Sequence, residues 1–84
     1  TGDELYKIYD LMCFQQDYVL SGEATEYVRD HLDMLSRSEE NFANAREVRN
    51  YFERCVERQA TRVVSEDMID ANALTAFKLC DVEE

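Results

Sequence analysis

Two arginines at the start of one predicted helix are the residues best placed to bind an anion. Arg46 and Arg49 fall in the first turn and a half of a segment predicted to be helical from Ala45. Amide N–H groups at a helix start carry a partial positive charge, so a cation there is locally unfavourable. A bound phosphate or carboxylate reverses that balance, because amides and guanidinium groups then converge on the same oxygens. The alternative is that Arg46 pairs with a nearby carboxylate.

Three further arginines follow on the same helix. Arg54, Arg58 and Arg62 are spaced four residues apart, which places them on one stripe of the helix surface. Two interpretations are open. The stripe is a solvated face with ion pairs to acidic neighbours, each contributing little to stability, or it faces another domain or subunit.

The remaining chemistry-bearing residues do not form a catalytic set. The single histidine, His31, lies on the apolar face of a predicted helix, where we expect a core or boundary residue. The cysteines, Cys13, Cys55 and Cys80, are odd in number and widely spaced, which favours reduced thiols over a disulfide framework or a zinc site. Two glycines cannot build a phosphate-binding loop. We therefore expect no metal and no catalysis from this chain alone.

Length and composition predict one small acidic domain over residues 1–84. The chain has 84 residues and a net charge of −10, which disfavours nucleic acid as a partner. Its hydrophobic content of 45% is enough for a core, and no apolar run is long enough to span a membrane. Without a secretory signal we expect a cytoplasmic location. Because the chain begins at Thr1, without methionine, we expect it to be excised from a longer chain.

Charge is distributed unevenly along the chain. Residues 44–64 contain five arginines and three glutamates, a net charge of +2, whereas the rest of the sequence carries −12. One helix is thus locally basic inside an acidic domain.

The elements that position these residues are predicted to be helical, because the sequence has no proline and few other breakers. A first helix is capped by Asp3 and runs to about Gln16. Residues 18–20 form a short strand or a buried connector. Ser21 caps a second helix that ends near Arg37, and residues 36–42 form a loop. The apolar face of the second helix comprises Ala24, Tyr27, Val28, His31, Leu32 and Leu35.

The third helix has the clearest pattern. Asn44 and Glu47 form a capping-box-like pair, and the helix should run from Ala45 to about Val64. Its predicted inner face comprises Val48, Phe52, Cys55, Val56, Gln59, Ala60 and Val63. After a connector over residues 65–69, Asp70 should cap a short helix over residues 71–77, and a further turn begins at residues 81–82. The fold class predicted is an all-α bundle of three main helices with short C-terminal turns.

The run from Phe42 to Glu53, with its Asn-Ala-Arg-Glu-Val-Arg-Asn core at residues 44–50, resembles a family signature. It is similar to the small helical lid subdomain of AAA+ ATPases, in the branch of the red-type Rubisco activase and the stage V sporulation protein K. Residues 18–21 resemble the connector between the first two lid helices, and residues 70–74 and 81–82 resemble the terminal short helices. The resemblance covers essentially the whole chain.

This resemblance implies that Arg46 is the sensor-2 arginine, which reaches the phosphates of ATP bound by a preceding large subdomain. Asn44 and Arg49 are assigned to the same nucleotide-binding set, although Arg49 has a structural ion pair as its alternative. The usual glycine is replaced by Ala43, which leaves the geometry of the loop before the helix open.

The resemblance also implies cofactors and partners. The longer parent would bind ATP or ADP with Mg²⁺, whereas the isolated domain would bind neither and would not be an enzyme. The implied partners are the large subdomain of the same chain, neighbouring subunits of a ring (usually a hexamer) and a protein substrate, without nucleic acid or membrane. The stripe of Arg54, Arg58 and Arg62 would then be a candidate subunit interface. The competing hypothesis is a stand-alone acidic helical adaptor that binds a protein through an exposed apolar patch.

Overall fold

Three long helices and a short C-terminal segment make up the described part of the molecule. The structure is a computed structural model, and it describes residues 2–37, 45–65 and 75–84. The elements are α1 Gly2–Gln15, β1 Val19–Leu20, α2 Gly22–Ser36, α3 Ala45–Ser65, β2 Ala76–Phe77 and α4 Leu79–Val82. The predicted all-α class is confirmed, and α2 and α3 lie within one residue of their predicted bounds. The prediction that Asp3 caps the first helix is wrong, because α1 begins at Gly2 and Asp3 lies inside its first turn. The last short helix begins at Leu79, two residues before the predicted turn.

A tight turn separates α1 from β1. The amide of Tyr18 donates to the Cys13 carbonyl at 2.8 Å, and Asp17 has a φ of 61°. This left-handed conformation is rare for residues other than glycine but is tolerated by aspartate, whose short polar side chain can bond locally. The turn ends α1 and sends the chain back toward α2.

Ser21 starts α2, as its type and position predict. Its Oγ accepts a hydrogen bond from the Ala24 amide at 3.1 Å, which satisfies one of the unpaired donors at the helix start. The Ser21 amide in turn donates to the Phe77 carbonyl at 3.1 Å. One residue therefore caps a helix and ties it to the C-terminal segment.

A two-residue parallel strand pair joins the connector to the C-terminal segment. Val19 pairs with Ala76 and Leu20 pairs with Phe77, so the strand interpretation of residues 18–20 is confirmed. The prediction of a helix through residue 77 is wrong at its end, because the backbone there bonds to β1 instead of continuing a helix. Residues 71–74 lie outside the described part.

The core lies where α1, α2 and α3 meet under the C-terminal segment. Four aromatic rings pack against one another in it: Tyr9, Tyr51, Phe52 and Phe77. Its buried aliphatic and small residues are Leu5, Cys13, Ala24, Val28, Leu32, Val48, Cys55 and Val82. Gly2 lets α1 approach α2, since an added Cβ would lie 2.8 Å from the Asp33 Cα. The predicted apolar face of α2 is confirmed.

The predicted inner face of α3 is wrong at two positions. Ala60 is exposed, and Tyr51, which was not predicted, is fully buried. Both residues flank the central stripe of the helix. The C-terminal segment covers only the side of Tyr51, whose hydroxyl donates to the Val82 carbonyl at 2.6 Å.

Some sequence predictions lie outside the described residues. They are the Asn44 half of the capping box, the effect of Ala43, most of the loop over 36–42, and the Asp70 cap with the connector before it.

Candidate functional site

The first turns of α3 present the two arginines predicted to bind an anion. Ala45 is the first residue of the helix, and the side chains of Arg46 and Arg49 are both exposed. Asn44, the third residue of the predicted nucleotide-binding set, lies outside the described part. Both arginines therefore lie at the surface of the described part and are not enclosed by the bundle.

The residues of α3 that are buried in the core determine this outward orientation of the two arginines. Val48 and Phe52, one turn apart, are anchored in the core, and Tyr51 completes the buried side of the same stretch. Because side chains around a helix are about 100° apart per residue, burying these positions turns residues 46 and 49 outward. The helix start, with its positive end, then carries two exposed guanidinium groups. This arrangement suits phosphate or carboxylate oxygens.

The carboxylate of Glu84, at the C-terminal end of the described chain, binds two arginines of the stripe. Arg54 Nη2 donates to Glu84 Oε1 at 2.5 Å, and Arg58 Nη2 donates to Glu84 Oε2. The Glu84 amide also donates to the Tyr27 hydroxyl at 2.8 Å. Burial alone would raise the pKa of the Glu84 carboxyl, but the hydrogen bonds from the two arginines outweigh it and hold that pKa below its usual range.

Asp81 is the buried partner of the third arginine. Its carboxylate is 1% exposed and accepts from Arg62 Nε at 3.0 Å and from Arg62 Nη2 at 3.0 Å. It also accepts from the Lys78 amide at 2.9 Å, and Arg62 Nη2 donates further to the Ala76 carbonyl at 3.2 Å. A buried carboxylate is expensive unless it is paired and hydrogen-bonded, and here both conditions hold.

These contacts bear on the two interpretations of the stripe. The arginines make ion pairs with acidic residues of the same chain, as the first alternative describes, but the Arg62–Asp81 pair is buried and not part of a solvated face. The role at a subunit interface stays a prediction. Sequence reasoning missed Asp81 and Glu84 as partners. Their acidic type is the only sequence signal, because the pairing spans 19 to 30 residues of chain.

His31 is a boundary residue, as its position on the apolar face predicts. Its ring is stacked on Tyr27 at 5.9 Å between ring centroids and lies 4.7 Å from the Tyr51 ring. Burial lowers the pKa of the imidazole, opposed by the Glu84 carboxylate and reinforced by the charges of Arg54 and Arg58. Its role is therefore packing between α2 and α3.

The thiols and acids suggest no second site in the described ranges. Cys13 and Cys55 are buried and Cys80 is exposed, and all three are free. Burial raises the pKa of the Cys13 thiol to about 12, which keeps it protonated and unreactive. Among residues 2–37, 45–65 and 75–84, no three His, Cys, Asp or Glu side chains are grouped to hold a metal ion. No helix described there is long and apolar enough to cross a membrane.

Comparison with known proteins identifies the family. A family model described as AAA lid domain matches residues 1–84. Protein CbbX of Cereibacter sphaeroides is 35% identical over 84 residues, which are 98% of this chain and 27% of that protein. Protein CbxX, chromosomal, of Cupriavidus necator is 33% identical over 82 residues, which are 95% of this chain and 26% of that protein. The chain thus spans about a quarter of the length of these curated relatives. The helical fold described above is consistent with this match, and the chain belongs to the AAA lid domain family.

Proposed function

We propose that this chain is the lid subdomain of an AAA+ ATPase and that Arg46 binds the phosphates of ATP held by a large subdomain of the same longer chain. The observation that carries the proposal is the exposed guanidinium in the first turn of α3, in a chain of the AAA lid domain family. A cation at a helix start is unfavourable by a few tenths of a kcal/mol unless an anion is bound there. A polyphosphate at this helix start would bring such negative charge to the amides and the guanidinium together.

The proposed mechanism is a difference in affinity between nucleotide states. ATP with Mg²⁺ would lie between the large subdomain and the lid, with Arg46 directed at the β and γ phosphates and with Asn44 and Arg49 as further candidates. Hydrolysis removes the contact with the γ phosphate, and the preferred angle of the lid then changes. A ligand shifts a conformational equilibrium only by its differential affinity for the two states. A hydrogen bond to a charged group contributes about 1.5–3 kcal/mol, which is enough for a large shift.

The wider assembly is also part of the proposal. The parent would be a cytoplasmic ATPase that forms a ring, with a hexamer as the expected size, and that remodels a protein substrate. The lid itself would not catalyse the reaction. The face carrying Arg54, Arg58 and Arg62 remains the candidate for contact with the neighbouring subunit, although its guanidinium groups already bind Glu84 and Asp81.

A second candidate function is supported by exposed apolar side chains on α1. Leu11 and Phe14 lie one turn apart and are 54% and 80% exposed. A stand-alone adaptor that binds a protein partner would present such a patch. The two functions differ in one respect that can be tested: a lid acts together with a bound nucleotide, whereas an adaptor binds its protein partner without one.

ATP turnover by the longer chain tests the proposal. Arg46→Ala should lower turnover by roughly ten- to a thousandfold, the effect of losing one positioned cation. The matched control is Arg37→Ala, which removes an exposed arginine at the end of α2 that pairs with Asp33 at 2.8 Å. It should leave turnover unchanged. Equal turnover of the wild type and Arg46→Ala, with the oligomer intact, would refute the sensor assignment.

A further inference from the structure

A groove lies between α1 and α3. It has a volume of about 740 Å³ and an apolar floor. The apolar side chains lining it are Ile8, Leu11, Met12, Phe52 and Val56. Ile8, Met12 and Val56 are only partly buried, and Leu11 is 54% exposed. Removing apolar area of this kind from water favours the packing of another apolar surface against it.

The groove is continuous with the start of α3. Ala45 and Arg49, on either side of Arg46 in the sequence, both line it. Glu53 and Glu57 line its edge on α3 and are seven and eleven residues after Arg46. At 3.6 residues per turn, these offsets place the Cα atoms of all three residues within about 20° of one stripe. The arginine proposed to bind nucleotide and the edge of the groove therefore belong to one face of the domain.

Because Arg46 and the groove share one face, the polypeptide that holds the nucleotide is also the one best placed to cover the groove. Whatever holds the nucleotide against Arg46 must approach the first turn of α3, and the groove begins at that turn. Along the helix the groove extends from Ala45 to Glu57, about 18 Å at 1.5 Å per residue. The curated relatives are nearly four times as long as this chain, so they contain enough polypeptide to form such a body.

We propose that the α1–α3 groove is the surface on which the large nucleotide-holding subdomain of the same chain packs. This inference rests on the proposed function and adds to it the docking surface. The counterpart is an apolar ridge of two or three side chains that fills the floor beside Leu11. A carboxylate of the counterpart faces Arg49, and a lysine or arginine faces Glu53 and Glu57. The exposed Phe14, one turn from Leu11, extends the contact beyond the groove.

Site-specific photo-cross-linking in the full-length chain tests this surface. The photo-reactive amino acid p-benzoylphenylalanine replaces Leu11 in one variant and Met34 in another. Met34 is a matched control, since it is 60% exposed but lies on α2 and does not line the groove. After irradiation with saturating nucleotide, the mass of the product and its peptide map identify what lies against each position.

The expected product at Leu11 is an internal cross-link, with the mass of one chain, that joins α1 to the large subdomain. The yield should be at least several-fold above that at Met34. A product with the mass of two chains would overturn the proposal in favour of a neighbouring subunit or a second copy. A yield at Leu11 no greater than that at Met34 would overturn it as well.

A second measurement separates this proposal from the function on which it rests. Leu11→Asp in the full-length chain should raise amide hydrogen exchange along the groove edges of α1 and α3, whereas Met34→Asp should not. If Arg46→Ala lowers turnover as predicted, but Leu11→Asp leaves exchange unchanged and position 11 gives no internal cross-link, the function stands and the docking surface is wrong. If Arg46→Ala has no effect while the internal cross-link forms, the sensor assignment fails and the surface remains.

Discussion

Replacing Asp81 by asparagine is expected to destabilise the fold by about 3 kcal/mol. The carboxylate is 1% exposed and the Arg62 side chain is 15% exposed, so neither water nor salt can replace the partner that is lost. Removing one member of a buried ion pair costs roughly 3–5 kcal/mol, because the other charge stays buried. Arg62 keeps its hydrogen bond to the Ala76 carbonyl, which places the loss at the lower end of this range.

Urea and thermal unfolding measure this loss. For a domain of this size, about 3 kcal/mol corresponds to a fall in the unfolding midpoint of roughly 12–24 °C. Glu84→Gln is the matched control, since it removes a carboxylate that also binds arginines but at a partly exposed position, and it should cost less than about 1 kcal/mol. The double variant Arg62→Met with Asp81→Leu removes both charges and should recover part of the loss. If Asp81→Asn costs no more than Glu84→Gln, the buried pair does not stabilise the fold as argued.

Three further predictions follow from local features. Because burial lowers the pKa of His31, the unfolded chain binds more protons than the folded chain, and the free energy of unfolding should fall as the pH drops below about 6.5. Unfolding measured at pH 5.5 and 7.5 should show this fall in the wild type and a smaller one in His31→Gln. Gly2→Ala should lower the unfolding midpoint, because the new Cβ meets the backbone of α2, whereas Gly22→Ala, with open space around it, should not. A thiol reagent should modify Cys80 rapidly in the folded chain and Cys55 only at the rate of unfolding, and equal rates would contradict the burial described here.

Much of the fold follows from local sequence patterns. The helices are set by apolar residues at helical spacing and by a cap such as Ser21, so their bounds could be predicted closely. The strand over Val19–Leu20 could be anticipated because it is a short apolar stretch between two helices.

The C-terminal segment could not be predicted from such patterns. Its conformation depends on contacts distant in sequence, such as the bond from Tyr51 to Val82 across 31 residues and the pairing of Arg62 with Asp81 across 19. For the same reason the exposure of Ala60 and the burial of Tyr51 depend on which flank of α3 this segment covers. The candidate site is predicted from residue type, from position on α3 and from the family resemblance, and the binding role of its arginines stays a prediction.

The most direct test of the central claim compares two nucleotide affinities in the full-length chain. A non-hydrolysable ATP analogue and ADP are titrated into the wild type, Arg46→Ala and the control Arg37→Ala. If Arg46 contacts the terminal phosphate, Arg46→Ala should weaken the ATP analogue by roughly 10- to 150-fold, the equivalent of about 1.5–3 kcal/mol, and ADP by much less. Equal affinity of the wild type and Arg46→Ala for the ATP analogue, or an equal loss for both nucleotides, would contradict the account.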